Sequence, residues 1–252
     1  MYVIHLMPTI LTVMTYNVHS CIGTDGKVSP VRIAHVIASQ KADIVALQEL
    51  DSGLIRTGLS DQAKLIADHL NMHYHFHPSM RIEKGHYGNA ILSRFPMRTV
   101  RASELPTIPG RRTIERRGAL WAEVSIGDLT VQVITTHFGL NRQERLAQAE
   151  TLLSSEWLQH RLCLPPLVLC GDFNTVSFSR VYSWLTRAMN DTRENSKFPM
   201  AHSTYPSRFP FLRLDYIFVS PDVVVKECTV CIDPLTRVAS DHLPLTATLE
   251  LQ

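Results

Sequence analysis

No apolar run in this 252-residue sequence approaches the ~20 residues that a membrane-spanning helix needs, so stable membrane insertion is not expected. The apolar start, MYVIHLMPTILTV, lacks a basic leading region and a small-residue cleavage site, which makes it a poor export signal. It reads as a short extension over residues 1–9 followed by a strand. Strong charge of either sign is also missing: the formal net charge is +2, and there is no lysine run to announce a nucleic-acid or lipid surface. Cysteine is scarce at five residues, an odd number that suggests reduced thiols and a cytoplasmic setting rather than a disulfide framework. The lone CxxC of Cys228 and Cys231 has no second ligand pair nearby, which argues against zinc and for two strand residues. Exact repeats and low-complexity tracts are absent as well.

What is present is ordinary globular composition, 45% hydrophobic and 19% charged, in a chain long enough to bury a large core. A single domain over residues 1–252 is the expected organisation. Strand and helix patterns mix along the chain. Leu11 to Val18 reads as a buried strand, and PVRIAHVIASQ follows as an amphipathic helix begun by Pro30. ADIVALQEL is a second apolar strand, followed by the helical SDQAKLIADHL. MHYHFHP, GNAILSRF, Met97 to Ala102, GALWAEVSI and LTVQVITTHF read as consecutive strands, the last two joined by a turn at Gly127 and Asp128. A long helix is expected from Arg142 to about Arg161, ended by Pro165 and Pro166. LPPLVLCGDFN is another strand, Arg180 to Met189 a shorter helix, and 191–213 an extended loop. LDYIFVS, VVVKECTVCI and LTATLEL close the chain as strands. Helices mixed with many strands in both halves fit two packed sheets with helices outside.

Polar groups recur where apolar strands end: Asn17, Glu49, His137, Asp172 with Asn174, Asp215, and Asp241 with His242. Ionisable groups at the edge of a core are costly unless they bind something. Carboxylate and amide oxygens suit a hard cation such as magnesium, which commonly bridges to phosphate oxygens.

TYNVHS, LQEL, YGNAILSR, TTHFG, CGDFN, LDYIFVS and SDHLPL, in this order, resemble the motif series of the exonuclease-endonuclease-phosphatase superfamily across nearly the whole chain. The resemblance implies an α+β fold of DNase I type, a four-layer α/β/β/α sandwich of two mixed sheets, with the site at one end of the paired sheets. It also implies a magnesium-dependent phosphoester hydrolase, with manganese as the other metal to consider. Glu49, Asn17 and Asp241 are the implied metal set. Asp172 is implied to orient or deprotonate the attacking water and Asn174 to hold it. His242, paired with Asp215, and His137 are implied to face the scissile phosphate. Arg117, His19 and Asn89 are further candidates for substrate contact.

Abasic-site endonucleases of the superfamily carry a carboxylate two residues beyond the first-strand asparagine, where this chain has His19. The NVHS form is more similar to sphingomyelinase-like and uncharacterised small-hydrolase branches, and His137 in TTHFG points the same way. A phosphate ester is the expected partner of a monomeric protein. Nucleic acid remains an alternative substrate, and a catalytically silent binding module is the alternative of another class. His73, His75 and His77 alternate with Met72, Tyr74 and Phe76, which reads as histidines facing out over an inward apolar face. Arg111, Arg112, Arg116 and Arg117 form a basic loop of which Arg117 is expected to reach the rim. Trp121 is expected in the core. Tyr205, Phe209 and Phe211 are candidates to shape the entrance or, equally, to form the loop's own small core.

Overall fold

The computed structural model describes residues 8–108, 115–194 and 203–251. Twelve strands form two six-stranded sheets. The first sheet contains β1 (Thr9–Asn17), β2 (Ile44–Ser52), β3 (His73–Ile82), β4 (Gly85–Ser93), β11 (Val224–Val230) and β12 (Leu245–Leu251), in the order β11-β12-β1-β2-β4-β3. The second contains β5 (Met97–Glu104), β6 (Gly118–Ile126), β7 (Leu129–His137), β8 (Leu167–Asp172), β9 (Asn190–Asp191) and β10 (Asp215–Val219), in the order β5-β6-β7-β8-β10-β9. Both sheets are mixed: β1 runs parallel to β2 and β7 to β8, and the other pairs are antiparallel.

Residues of alternating parity divide three hydrophobic cores. Leu11, Val13, Ile44 and Ala46 of the first sheet meet Val131, Val133, Val168 and Ile217 of the second. The opposite parity of the first sheet, Met14, Tyr16 and Val45, packs on α1 (Pro30–Ser39) and α2 (Gln62–Leu70) through Ile33, Ile37 and Ile66. Trp121, Ile134, Leu169 and Phe218 of the second sheet pack on α3 (Arg142–Leu152) and α4 (Arg180–Ala188) through Leu152 and Leu185. The result is the α/β/β/α sandwich, each sheet apolar on both faces because each is covered on both. The helices begin where side chains cap them: Ser29, Asp61, Asn141 and Ser179 each accept a hydrogen bond from a first-turn amide. A short α5 (Thr236–Ala239) precedes β12.

Two boundaries differ from expectation. Thr9 already pairs with Leu251, so the first strand begins inside the expected extension, of which residues 1–7 lie outside the described residues. Helix α3 stops at Leu152 instead of continuing to Arg161. Ser154 bonds back to the Thr151 carbonyl, and Trp157 turns in to full burial against the second sheet, so local serine bonding and packing override the helical spacing. The five cysteines are free and buried, with Cys228 and Cys231 on or beside β11. No helix among the described residues is long and apolar enough to cross a membrane.

Candidate active site

The parity that builds the inter-sheet core also builds the site. Along β1 the inward face reads Leu11, Val13, Thr15, Asn17; along β7 it reads Val131, Val133, Thr135, His137. On β8 the series is Val168, Cys170, Asp172, and on β10, read backwards, Val219, Ile217, Asp215. Each series changes from aliphatic to polar at the same end of the sandwich. In register, His137 lies opposite Asp172, and Asp172 opposite Asp215, so three adjacent strands place these side chains in one row.

Glu49 reaches the site by another route. The inward parity of β2, Ile44, Ala46, Gln48, leaves Glu49 on the wrong face, but the pairing with β4 slips between Leu47 and Leu50. Within this bulge Glu49 adopts φ 62°, a left-handed conformation costly for a residue with a Cβ, and its carboxylate turns back to the mouth. Gln48 keeps its inward direction and donates to Thr15 and Thr135, tying the two sheets together just below the site. The amide of Asn17 donates to Glu49 Oε1 at 2.9 Å and to Asp172 Oδ2 at 3.0 Å, a bridge between one carboxylate from each sheet. Asn17 Oδ1 accepts from the backbone N–H of His19 at 3.1 Å. His19, Ser20 and Cys21 form a left-handed turn that carries the His19 ring between two carboxylates, Nδ1 lying 3.5 Å from Glu49 Oε2 and 3.7 Å from Asp241 Oδ2. The Glu49 hydrogen bond and the Asp241 charge raise the His19 pKa against the opposing effect of burial. Burial works to raise that of Glu49, yet His19, His137 and Asn17 together hold it well below the usual carboxylate range.

The Asp215 and His242 side chains form a buried pair, Oδ2 to Nδ1 at 2.8 Å, with the other ring nitrogen facing Asp172 Oδ2 at 3.7 Å. Burial alone would depress the imidazole, but the charges of Asp215 and Asp172 raise it to about 10, so His242 is a cation at neutral pH. Burial raises Asp172 to about 7, with the Asp215 charge adding to the effect and His242 opposing it. The Asn174 amide N–H fixes Asp172 by donating to Oδ1 at 2.8 Å. Ser240 accepts from the His242 amide and donates to the Asn17 carbonyl, which locks the SDH turn to the end of β1. The Tyr205 ring lies over His242 with centroids 4.9 Å apart.

His137 is 3% exposed and backed by Arg117, whose Nη1 lies 2.9 Å from Nδ1. Both ring nitrogens face donors, Nδ1 the Arg117 guanidinium and Nε2 the Asn174 side-chain amide, and a neutral imidazole can accept at only one of them. Nε2 also faces Asp172 Oδ2 at 3.4 Å and Glu49 Oε1 at 3.9 Å. Burial and the Arg117 charge push the His137 pKa well below its ordinary value, which keeps the ring neutral. Asn174 Nδ2 is 3.0 Å from Nε2 and donates to the Phe138 carbonyl.

Two donor sets are available to a cation. Asp172, Asp215 and His242 present atoms within 4.8 Å of one another, and Asp215 Oδ1 is buried without a hydrogen-bond partner among the described residues. Glu49 and Asp241 present two carboxylate oxygens converging on the His19 nitrogen, with side chains 20% and 36% exposed. The second set fits magnesium better. Its two carboxylates are hard oxygen donors whose like charges need a cation between them, the place that the His19 ring takes in this structure. The first set contains an imidazole already committed to Asp215.

The structure thus brings together Asn17, Glu49, His137, Asp172, Asn174, Asp215, Asp241 and His242, with His19 beside them. Arg117, 5% exposed, lies behind His137 and pairs with Glu115 rather than standing at the rim. Asn89 is buried and donates to the Gly118 carbonyl across the sheets. Arg116 pairs with Glu104, and Arg111 and Arg112 lie outside the described residues. Tyr74 and Phe76 pack on the first helical layer as expected, but of the alternating histidines only His73 is exposed. His75 Nε2 lies 3.2 Å from the Met97 carbonyl of the second sheet, and His77 Nε2 is buried beside Gly118. Trp121 is in the core. Phe209 and Phe211 are exposed, whereas Tyr205 reaches His242. Two residues escaped sequence reasoning. Ser240 stood inside SDHLPL, and Tyr87, whose phenol is raised by burial and by the Glu49 charge, stood inside YGNAILSR. Their place in those motifs was the available signal.

Residues 14–242 match the model of the Endonuclease/Exonuclease/phosphatase family. The protein YbhP of Escherichia coli K12, itself uncharacterised, is 26% identical over 258 residues, which covers 95% of this chain and 96% of YbhP. Among solved structures, an endonuclease/exonuclease/phosphatase from Beutenbergia cavernae is 25% identical with a TM-score of 0.78, over 96% of this chain and 72% of that one. A mannosyl-6-phosphatase from Bacteroides thetaiotaomicron shares the fold at 22% identity and a TM-score of 0.75, over 95% of this chain and 99% of that one.

Proposed function

The chain belongs to the endonuclease/exonuclease/phosphatase family, whose members are generally hydrolases of phosphoester bonds, and from this we propose that it is a divalent-metal-dependent phosphodiesterase. The observation that carries the reading is the Asp215–His242 pair, whose free ring nitrogen faces Asp172 in a pocket that Asn17 joins to Glu49. Glu49 and Asp241 would hold the metal, with Asn17 orienting Glu49. A divalent cation held there would supply positive charge to offset the negative charge of the phosphoryl group.

The chain's own residues account for the rest. Asp172, held by Asn174 and Asn17 and titrating near neutrality, takes a proton from the attacking water. His242 faces the phosphate as a cation and can release a proton to the leaving oxygen, while Asp215 fixes its tautomer and keeps it charged. His137, kept neutral by burial and by Arg117, lines the other wall without adding a positive charge that would repel the metal. The burial of Asp172, Asp215, His137 and His242 excludes bulk water from these contacts.

A silent binding module has no physical need for this arrangement, because a raised aspartate beside a buried histidine is costly unless used. A panel assay tests the reading. Purified protein with magnesium is incubated with a chromogenic diester, sphingomyelin, a sugar monophosphate, RNA, duplex DNA and abasic duplex. Turnover of the diester is expected, reduced on the order of a hundredfold in His242→Ala. A mono- rather than diesterase preference would redirect the assignment, dominant cleavage of nucleic acid would favour a nuclease, and no turnover of any ester would favour the binding module.

A further inference from the structure

Beside the catalytic pocket lies a second cavity of about 390 Å³, set between the first turns of α3 and α4 and lined by Arg142, Arg145, Asn174, Phe178 and Arg180 among others. Asn174 is the shared wall: its backbone N–H holds Asp172, and its amide lies against His137. The three arginines have no carboxylate partner among the described residues. Arg145 donates to the carbonyls of Gly139 and Leu140, and Arg180 stacks on the Trp184 ring at 4.7 Å. Arg142 and Arg180 are exposed and Arg145 is half-buried. Burial, and then the neighbouring Arg142 charge, push the Arg145 pKa down against the opposing effect of the Asp172 charge. Both helices, eleven and nine residues long, also turn their amino-terminal ends to this cavity, adding to its positive potential. Phe178, 90% exposed, stands at its edge.

We propose that this cavity is a second phosphate subsite, and that the substrate carries a further phosphate beside the one that is cleaved. Guanidinium groups match phosphate oxygens in planar, paired hydrogen bonds, and a phosphate here would compensate the positive charge of arginines that have no carboxylate in contact among the described residues. Because Asn174 borders both spaces, the second phosphate belongs to the same molecule as the first. The subsite rests on the phosphodiesterase reading for its purpose but not for its binding chemistry.

The test uses p-nitrophenyl diesters of thymidine 5′-phosphate, with and without a 3′-phosphate, and of inositol phosphate, with and without a neighbouring phosphate. In at least one series the added phosphate is expected to raise kcat/KM about tenfold, the order set by a charge-assisted hydrogen bond. The Arg142→Ala/Arg180→Ala double variant should lose that gain while keeping its rate on the single-phosphate diesters. The corresponding double lysine variant should recover part of it. The series that gains identifies the source of the phosphate. No gain in either series, or a gain that survives in the double alanine variant, overturns the proposal. Calorimetric binding of inorganic pyrophosphate in EDTA separates the two readings. Binding weakened about tenfold by the double alanine variant, in a protein that cleaves no ester, retains the subsite and removes the hydrolase. Binding indifferent to the arginines, in a protein that cleaves diesters, does the reverse.

Discussion

Asp172 and His242 are both raised, and the signs of the two shifts define a pH window. Asp172 must be ionised to accept a proton, so kcat/KM should climb as pH rises through about 7. His242 must remain charged, so the rate should fall again above about 10. In Asp215→Asn the imidazole loses the partner that raises it, and the alkaline limb should move to lower pH. A pH profile in which Asp215→Asn leaves that limb in place would count against the pairing. Stability responds to the same groups. The folded protein binds a proton at Asp172 more tightly than the unfolded chain, whose carboxyl titrates near 3.8. This contribution is complete below 3.8 and disappears as pH rises through about 7. Asp172→Asn removes the buried charge, so its melting temperature relative to the parent should be higher at pH 8 than at pH 4. An unchanged difference, measured by thermal scans at both values, would contradict the burial of an ionised Asp172.

The strands deliver these residues by an alternation that sequence makes visible. Asn17, His137, Asp172 and Asp215 each continue the inward parity of an aliphatic series, so their convergence follows once two sheets are assumed. Glu49 was readable as a candidate from its place at the end of an apolar strand and from its motif, although simple alternation would point it away. The bulge that redirects it depends on the opposing Gly88 and Asn89 of β4, which lie forty residues away and leave no local signal. Arg117 behind His137 and Tyr205 over His242 are tertiary contacts of the same kind. The end of α3 was also hidden, since the spacing continues past Leu152 until Trp157 finds a place in the core. The bulge makes its own prediction. With Glu49 at φ 62°, glycine fits the backbone and alanine does not, so Glu49→Gly should be about 1 kcal/mol more stable than Glu49→Ala in chemical denaturation, though both lose the carboxylate. Equal stabilities would mean that the left-handed turn relaxes freely.

Across the whole molecule, the mouth of the sandwich is where the two sheets are joined by polar rather than apolar contacts. Gln48 reaches Thr135, Asn17 reaches Asp172, and His242, from the turn before β12, reaches Asp215. Both sheets therefore have to pack in register before the site residues can meet, and a cation held by Glu49 and Asp241 would sit at the edge of that seam. The proposed hydrolysis of a phosphoester at this seam requires a divalent metal. The most direct measurement is the rate of chromogenic diester hydrolysis as magnesium is titrated into EDTA-treated protein, for the parent and for Glu49→Ala. Activity should be absent in EDTA, return and saturate with magnesium in the parent, and fail to return at the same concentrations in Glu49→Ala. Full activity in EDTA, or a parental magnesium response in Glu49→Ala, would contradict it.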